Sequence, residues 1–488
     1  MKRNSHTLAE YSDYSLFYDR LAGSGAYWKD NGGKVIDGTQ FTLGGGDFEK
    51  WSNELRFSTP ADKPVHATAG VFIQRQLHNI SQLYVQPGYG YTSVVGGQYN
   101  QPSPNPHGLA TGLSVPGFDN AIWFTDEQRV DRDKAIFAEL TWDISSKLSL
   151  LGGARYYRYE NSLVGFYGYG AGFSSGTGQA ACFAPARIPY APCTNLAADT
   201  TGSGWVPKAT LTYKLTPDAM LYLTYSKGFR PGGVNRVSTA PGTAPIPYQA
   251  DYLKNYEFGW KTQWFDHHLR WNGAVFQENW NDFQFAFLVP PSVNVIANGG
   301  GARIRGIEND IQFAPSRGVL LSASFTFLDP VLTQAYCGGF VGQTDCPNQV
   351  TKAPFLPGGK WIGPLAPRGS NLPVAPKFKG NAIARYTFND VAEWAPFAQA
   401  AYAYQSQTAP QLRADLTAVL GMQAAYGILD LSAGAERNGT QIEVFVTNVT
   451  DERAQLSRST AISAQKDNEV YVTPNQPLTY GLKVSMKF

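Results

Sequence analysis

The closing segment, Pro477–Phe488, constrains this chain more than any other stretch. Tyr480, Leu482, Val484, Met486 and Phe488 are apolar, and Thr479, Gly481, Lys483, Ser485 and Lys487 between them are polar or small. A period of two is that of a β-strand with one greasy face and one wet face. Two lysines on the wet face argue against a packed sandwich core there. Read as the closing strand of a membrane barrel, the segment puts its even positions in lipid and its odd positions in a watery lumen, with Phe488 as the terminal aromatic. The alternative is an amphipathic edge strand at a chain end, and the rest of the sequence has to decide.

The rest repeats one cycle. A first strand is expected around Glu10–Tyr18. Trp51–Phe57 alternates, Pro60–Pro64 turns, and Val65, Ala67, Ala69, Val71 and Ile73 mark the return strand. A long Gly/Tyr/Pro/Asn loop is expected over about 77–120. Ile136, Ala138, Leu140 and Trp142 then alternate with Glu139, Thr141 and Asp143. Ile144–Ser146 turns, Leu148–Tyr156 returns, and another long loop is expected over about 161–204. Short turns recur at Thr216–Asp218, Phe265–His267, Pro315–Arg317, Asn389–Asp390 and Arg437–Gly439, with long loops between them. Long loops at one end and tight turns at the other are the anatomy of an up-and-down transmembrane β-barrel. The rhythm predicts an all-β, antiparallel fold of about sixteen strands, an even number.

Which face is wet follows from the alternation. Leu321, Ala323, Phe325 and Phe327 oppose Ser322, Ser324 and Thr326; Ile442, Val444 and Val446 oppose Glu443 and Thr447; Tyr256, Phe258 and Trp260 oppose Glu257 and Lys261. Ionic side chains on one face of strand after strand would be costly in a dry core but not in a hydrated lumen. Glu257 and Lys261 are expected to face inward, where they could pair across the lumen wall. Totals agree: charged residues make up 16% and aromatics 14%, and no apolar run is long enough for a membrane helix. A net charge of +2 gives no field for nucleic acid.

The start, Met1–His6, carries no apolar export segment, so the native N-terminus is expected to lie upstream of Met1. The four cysteines form two close pairs, Cys182 with Cys193 and Cys337 with Cys346, in Gly/Pro-rich stretches without metal-ligand spacing. Two local disulfides in loops are expected, as in an oxidising compartment.

Five segments, in order, resemble TonB-dependent outer-membrane receptors. They are Tyr225-Ser226-Lys227-Gly228-Phe229-Arg230-Pro231-Gly232-Gly233; Tyr256–Lys261 followed by Asn272–Phe276; Gly306-Ile307-Glu308; Asn448–Arg453, which includes Asp451; and the terminal Phe488. The resemblance covers about 51–488. It implies energised uptake of a scarce nutrient: an iron–siderophore complex, cobalamin or an oligosaccharide. The partners implied are outer-membrane lipid, the TonB energising complex and a small ligand, for a monomer in the bacterial outer membrane that uses no cofactor and catalyses no reaction. The family barrel has about 22 strands behind a globular plug. Neither the plug nor the box that contacts TonB is legible here, so residues 1–488 read as one N-terminally truncated barrel domain. A passive porin, with about 16 to 18 strands, is the alternative. Within the motif, Gly228, Gly232 and Gly233 are read as loop-root glycines that let the chain turn tightly.

Other patterns carry less. Gly172–Gly176 matches G-x-S-x-G, but no strand–turn–helix context surrounds it. His267-His268 sits in a short turn, where adjacent imidazoles do not face one metal. The tyrosine-rich stretches at 84–99 and 166–173 read either as ligand-stacking loops or as plain Gly/Tyr surface loops.

Overall fold

A computed structural model describes residues 2–11, 40–85, 87, 120–169, 184–189, 191, 193–236, 247–289, 293–337, 346, 350–352, 360–388, 393–460 and 470–487. The wall begins with seven consecutive strands. They are β1 (Lys2–Tyr11), β2 (Gln40–Ser58), β3 (Val65–Val85), β4 (Ala121–Asp143), β5 (Leu148–Tyr169), β6 (Leu196–Thr216) and β7 (Ala219–Arg230). A small ribbon, β8 (Gly233–Val234) with β9 (Pro247–Tyr248), interrupts it. The wall resumes with β10 (Asp251–Trp264) and β11 (Leu269–Asn281), and the hairpin β12 (Gln284–Val289) and β13 (Val293–Asn298) branches off. β14 (Gly301–Phe313) and β15 (Val319–Leu332) follow, then the ribbon β16 (Val350–Lys352) and β17 (Lys360–Ile362). The last wall strands are β18 (Phe378–Thr387), β19 (Ala395–Gln405), β20 (Tyr426–Arg437), β21 (Thr440–Thr447) and β24 (Thr479–Met486). A short helix, α1 (Ala414–Leu420), precedes β20, and the ribbon β22 (Gln455–Thr460) with β23 (Val470–Pro474) precedes β24.

The wall is one 16-stranded antiparallel sheet in which each strand neighbours the wall strand before and after it in sequence. The expected fold class and strand number both hold. Tight turns lie at expected positions. Phe265, Asp266 and His267 take positive φ in one, and Asn438 and Gly439 in another; Asn389 and Asp390 lie outside the described residues.

The outward residues form an apolar belt. Ile136, Leu140, Leu211, Leu223, Phe258, Val275, Leu321, Leu431 and Val444 are exposed on it, as are Tyr480, Leu482, Val484 and Met486 of the last strand. The packed apolar clusters of the described residues lie elsewhere, at the roots of the long loops. One joins Phe283, Ala302, Leu332, Tyr336, Leu365 and Ala366. A second joins Ala135, Tyr157, Tyr159 and Ala250, and a third joins Leu163, Leu196 and Val234.

Three expectations need correction. The first strand is Lys2–Tyr11, not Glu10–Tyr18. It lies against Gln40–Glu49, the loop-side half of β2, so among the described residues Trp51–Ser58 has no partner strand on that edge. Among the described residues the sheet is therefore open: β1 and β24 each pair on one side only. Closure of β1 onto β24 is disfavoured by height, since β24 pairs with the eight residues Thr440–Thr447 beside the short Asn438–Gly439 turn, at the opposite end of the wall. Finally, the loop expected from Asn161 to Gly204 is strand at both ends, over 161–169 and 196–204. β5 and β6 stay in register as far as Gly165 opposite Leu196, and Phe166 and Tyr167 are buried in β5 rather than displayed on a loop.

Candidate functional site

The inner face of the wall carries the polar chemistry, and a knot of loop roots covers part of it. The knot is built on the Lys227–Gly233 segment. Lys227 places its ammonium 4.2 Å from the centre of the Tyr252 ring. Phe229 stacks on Tyr157, with centroids 3.4 Å apart and planes within 8°. Arg230 Nη2 donates to Asp251 Oδ2 at 2.5 Å and to the Gln284 carbonyl at 2.7 Å. Asp251 is buried and also accepts from the Gln284 backbone N–H at 2.8 Å. The Gln284 side chain donates to the carbonyls of Pro231 and Gln249, at 2.8 and 2.9 Å. One buried carboxylate thus ties the β7 loop, the start of β10 and the β12–β13 hairpin together by charge-assisted hydrogen bonds.

The glycines of the motif do not act as the sequence suggests. None of Gly228, Gly232 and Gly233 has positive φ. Gly228 sits inside β7 with open space where a Cβ would stand. At Gly232 a Cβ would come within 2.4 Å of the Tyr248 carbonyl oxygen, and at Gly233 within 2.3 Å of the Tyr248 hydroxyl. Close approach of the β8–β9 ribbon, rather than a tight turn, requires glycine at these two positions.

Below the knot, two hollows line the inner wall. One, of about 520 Å³, lies among Glu54, Arg56, Glu139, Arg155, Lys208 and Lys227. Lys208 and Glu139 are 3.6 Å apart in it, both half-exposed. The other, of about 670 Å³, lies among Tyr222, Lys261, Glu308, Asp310, Lys379 and Asn381. Ser324 donates to Asp310 at 2.8 Å, and Arg270 approaches the same carboxylate at 3.6 Å. Glu257 accepts from the Tyr222 hydroxyl at 2.7 Å and from Asn255 at 3.1 Å. Among the described residues it does not pair with Lys261, which instead lines the larger hollow. Gly306 is small because Phe276 and Leu328 close over it, at 2.5 and 2.9 Å from a Cβ position. Glu308 is therefore presented to the hollow beside an aromatic shelf.

Above the apolar belt, Glu127 is buried on β4 with one carboxylate oxygen lacking a hydrogen-bond partner. Burial pushes its pKa up to about 7, against the opposing pull of Arg236 and Arg129. Sequence reading missed this residue, which falls between the loop expected over about 77–120 and the alternation that starts at Ile136.

The closing motif is structural. Asn448 and Asp451 both take positive φ. The Asn448 amide donates to the carbonyls of Glu452 and Gln476 at 3.0 Å each, and Asp451 accepts from the Leu478 N–H at 2.9 Å, so the motif clamps β21 to β24. That hydrogen bond, with help from Arg453, holds the Asp451 carboxyl below its usual range. His267 and His268 also serve structure, the first contacting Gln263 Oε1 and the second the Ala314 carbonyl, both at 2.6 Å. Cys337 and Cys346 are disulfide-bonded to each other. Cys193 is disulfide-bonded as well; Cys182, Phe488 and Gly172–Gly176 lie outside the described residues.

A wall that is apolar outside and ionic inside, with packed loop roots over part of its inner face, is the wall of a membrane β-barrel. The sequence profile described as TonB dependent receptor-like, beta-barrel matches residues 3–449, and the chain belongs to that family. Among solved structures it is similar to the ferric yersiniabactin uptake receptor FyuA from Yersinia pestis, with a TM-score of 0.65 and 16% identity, over 92% of this chain and 55% of that one. The copper transporter OprC matches with a TM-score of 0.60 and 14% identity, over 93% and 58%. The pesticin receptor of Yersinia enterocolitica is 25% identical over 183 residues, which is 37% of this chain and 24% of the relative. The chain thus spans a little over half the length of these solved structures, and its match covers about a quarter of the curated relative.

Proposed function

We propose that this chain forms most of the wall of an outer-membrane receptor that takes up a small metal chelate, a ferric siderophore first of all, with energy from the TonB complex. The observation that carries the reading is the pairing of the family's barrel profile with an inner face of mixed charge beneath a fixed loop root. The relatives named for ferric yersiniabactin uptake and copper transport supply the substrate class. The ligand would meet the long loops first and then the two hollows, whose lysines and carboxylates suit a polar, charged chelate rather than an apolar one. Nothing in this role makes or breaks a covalent bond. Cobalamin or an oligosaccharide would be taken by the same route, and a ligand panel separates them.

The open edges bear on how the wall works. Among the described residues the edges at belt depth are Trp51–Ser58 and Thr479–Met486. Each unpaired backbone group in hydrocarbon costs several kcal/mol. We infer that both edges meet partner strands in the working receptor, as one domain of a larger barrel. A passive porin is a closed wall, and the open edges speak against it.

The test is growth of an iron-starved strain on individual ferric siderophores, with and without this protein and with and without the TonB complex. Growth on at least one siderophore that requires both is the expected result. Uptake that persists without the TonB complex would establish passive diffusion instead. The chain reconstituted alone should show no energy-dependent uptake, and either a steady ungated conductance or none.

A further inference from the structure

The outward face of the tall strands carries a charge arrangement that the uptake role does not use. Register across β2 to β6 sets residues of one face in rows. The belt's upper row is Leu55, Val71, Ile136, Tyr156 and Trp205. One row higher stand Ile73, Lys134 and Arg158, and above them Trp51, Arg75, Arg132 and Glu160. Lys134 is directly opposite Arg158, and Arg75 directly opposite Arg132. Like charges directly opposite on one face of a sheet are destabilising.

Only one of the four cations is compensated: Arg132 donates to Glu160 at 2.5 Å. Among the described residues no ion pair reaches Arg75, Lys134 or Arg158. The chain as a whole is nearly neutral, at +2, so three uncompensated cations on neighbouring strands are a local concentration. Their height is informative. Exposed Trp51 and Trp205 flank them, and Tyr156 packs against Trp205 with centroids 5.0 Å apart. Exposed Trp and Tyr mark the level where hydrocarbon gives way to headgroups. Beneath the cations runs a groove of about 290 Å³, lined by Val71, Ile73, Ile136 and Tyr156 and topped by Lys134 and Arg158.

We propose that this patch binds a phosphate-bearing lipid of the surrounding leaflet, with its phosphate bridging Lys134 and Arg158 and an acyl chain lying in the groove below. An arginine fork and a lysine ammonium can share the oxygens of one phosphate. The anion turns a repulsive cross-strand pair into a bridged one. Arg75, one row up, adds a third positive charge on the side of the headgroup. A free anion would satisfy the cations but leave the apolar groove unused. A lipid satisfies both, and at this depth lipid is what surrounds the wall. The inference rests on the membrane reading above.

The test is native mass spectrometry of the protein released from phosphatidylcholine nanodiscs doped with phosphatidic acid. Phosphatidic acid should be retained preferentially. Lys134→Ala and Arg158→Ala should each weaken retention about fivefold, and the double variant about thirtyfold, the effect of one Lys or Arg near an anionic surface taken once and twice. Lys134→Arg should keep the lipid, and Lys208→Ala on the inner face should change nothing. Lys134→Glu can pair with Arg158, so it should fold and still lose the lipid, which covers a double variant that fails to insert. Equal retention of the two lipids, unchanged retention in Lys134→Glu, or displacement by an equal concentration of inorganic phosphate would overturn the proposal. Failure of the unaltered wall to enter nanodiscs even with its two edges partnered in the whole receptor would instead overturn the membrane reading.

Discussion

The two halves of the wall differ in height. Strands β2 to β6 run 19 to 23 residues, while the wall strands from β18 to β24 run 8 to 12. A tilted strand crosses a bilayer in about 9–11 residues. The short half is therefore little more than the membrane crossing. The tall half continues for about ten residues beyond it, roughly 30 Å along the strand. Its lower part obeys the rule of the short half, apolar outside and ionic inside. Its upper part follows a different rule: Phe124, Glu127, Leu163, Phe166 and Tyr167 are buried there, and outward positions such as Arg132 and Glu160 are charged. One set of strands thus serves as membrane wall below and as a folded extracellular scaffold above.

The largest expected effect tests where that boundary lies. Leu321→Arg, in the belt, should cost about 2–4 kcal/mol. Ser324→Arg on the inner face, beside Asp310, should cost little. Thr201→Arg, outward on β6 opposite Glu160, should stay within about 0.5 kcal/mol, as surface changes usually do. Denaturant unfolding in lipid vesicles reads all three. Equal costs at Leu321 and Thr201 would place the upper strands in lipid and erase the distinction between the halves.

Glu127 sharpens the comparison through pH. Its folded pKa, about 7, lies above the ordinary 4.5. Between those values the folded form holds a proton that the unfolded form has released, so stability falls as pH rises through the window. The whole loss is about 3 kcal/mol. Glu127→Gln should abolish it, slowing amide exchange around Gly165 at pH 8 while changing little at pH 4. The short half should exchange identically in both proteins. An unchanged pH profile in Glu127→Gln would show that the upper strands are hydrated rather than packed.

The disulfide on the loop side is the next step down. Cys337 and Cys346 are nine residues apart, and closing a loop of that size contributes between about 2 and 3 kcal/mol in the chain-entropy account. Cys337→Ser with Cys346→Ser should therefore loosen the neighbouring cluster of Tyr336, Leu365 and Ala366, seen as faster exchange there, without altering the belt. Loss of the whole wall's stability would mean that the two levels are not independent.

How much of this was legible in the sequence follows from the same division. The belt was legible because one face is apolar at every second residue, as in Leu321 to Phe327, and the tight turns because short breaks such as Ser145–Ser146, Asp266–His267 and Asn438–Gly439 interrupt that alternation. The upper strands were not, because above the belt both faces are mixed; Asn161–Tyr169 lacks any alternation and so read as loop. The knot was hidden for another reason. Arg230 finds Asp251 21 residues on and the Gln284 carbonyl 54 residues on, and no local pattern announces partners that only the register brings together. The glycines were seen, but the ribbon that crowds Gly232 and Gly233 was not.

The smallest expected effect concerns the inner face, which both halves share. Lys208 and Glu139 lie 3.6 Å apart in the tall half, and Arg270 and Asp310 lie at the same distance in the neighbouring strands. All four side chains are close to half exposed. Pairs of this kind couple by about 0.2–1 kcal/mol in water and weaken once salt shortens the screening length. A double-mutant cycle on Lys208→Gln with Glu139→Gln should give a coupling below about 1 kcal/mol that fades at high salt, and the Arg270–Asp310 cycle should match it. A coupling well above that, unmoved by salt in one hollow alone, would mean that hollow is dry. In a hydrated lumen these charges do little for the fold. They remain available to a polar solute, as the proposed uptake role requires of both halves of the wall.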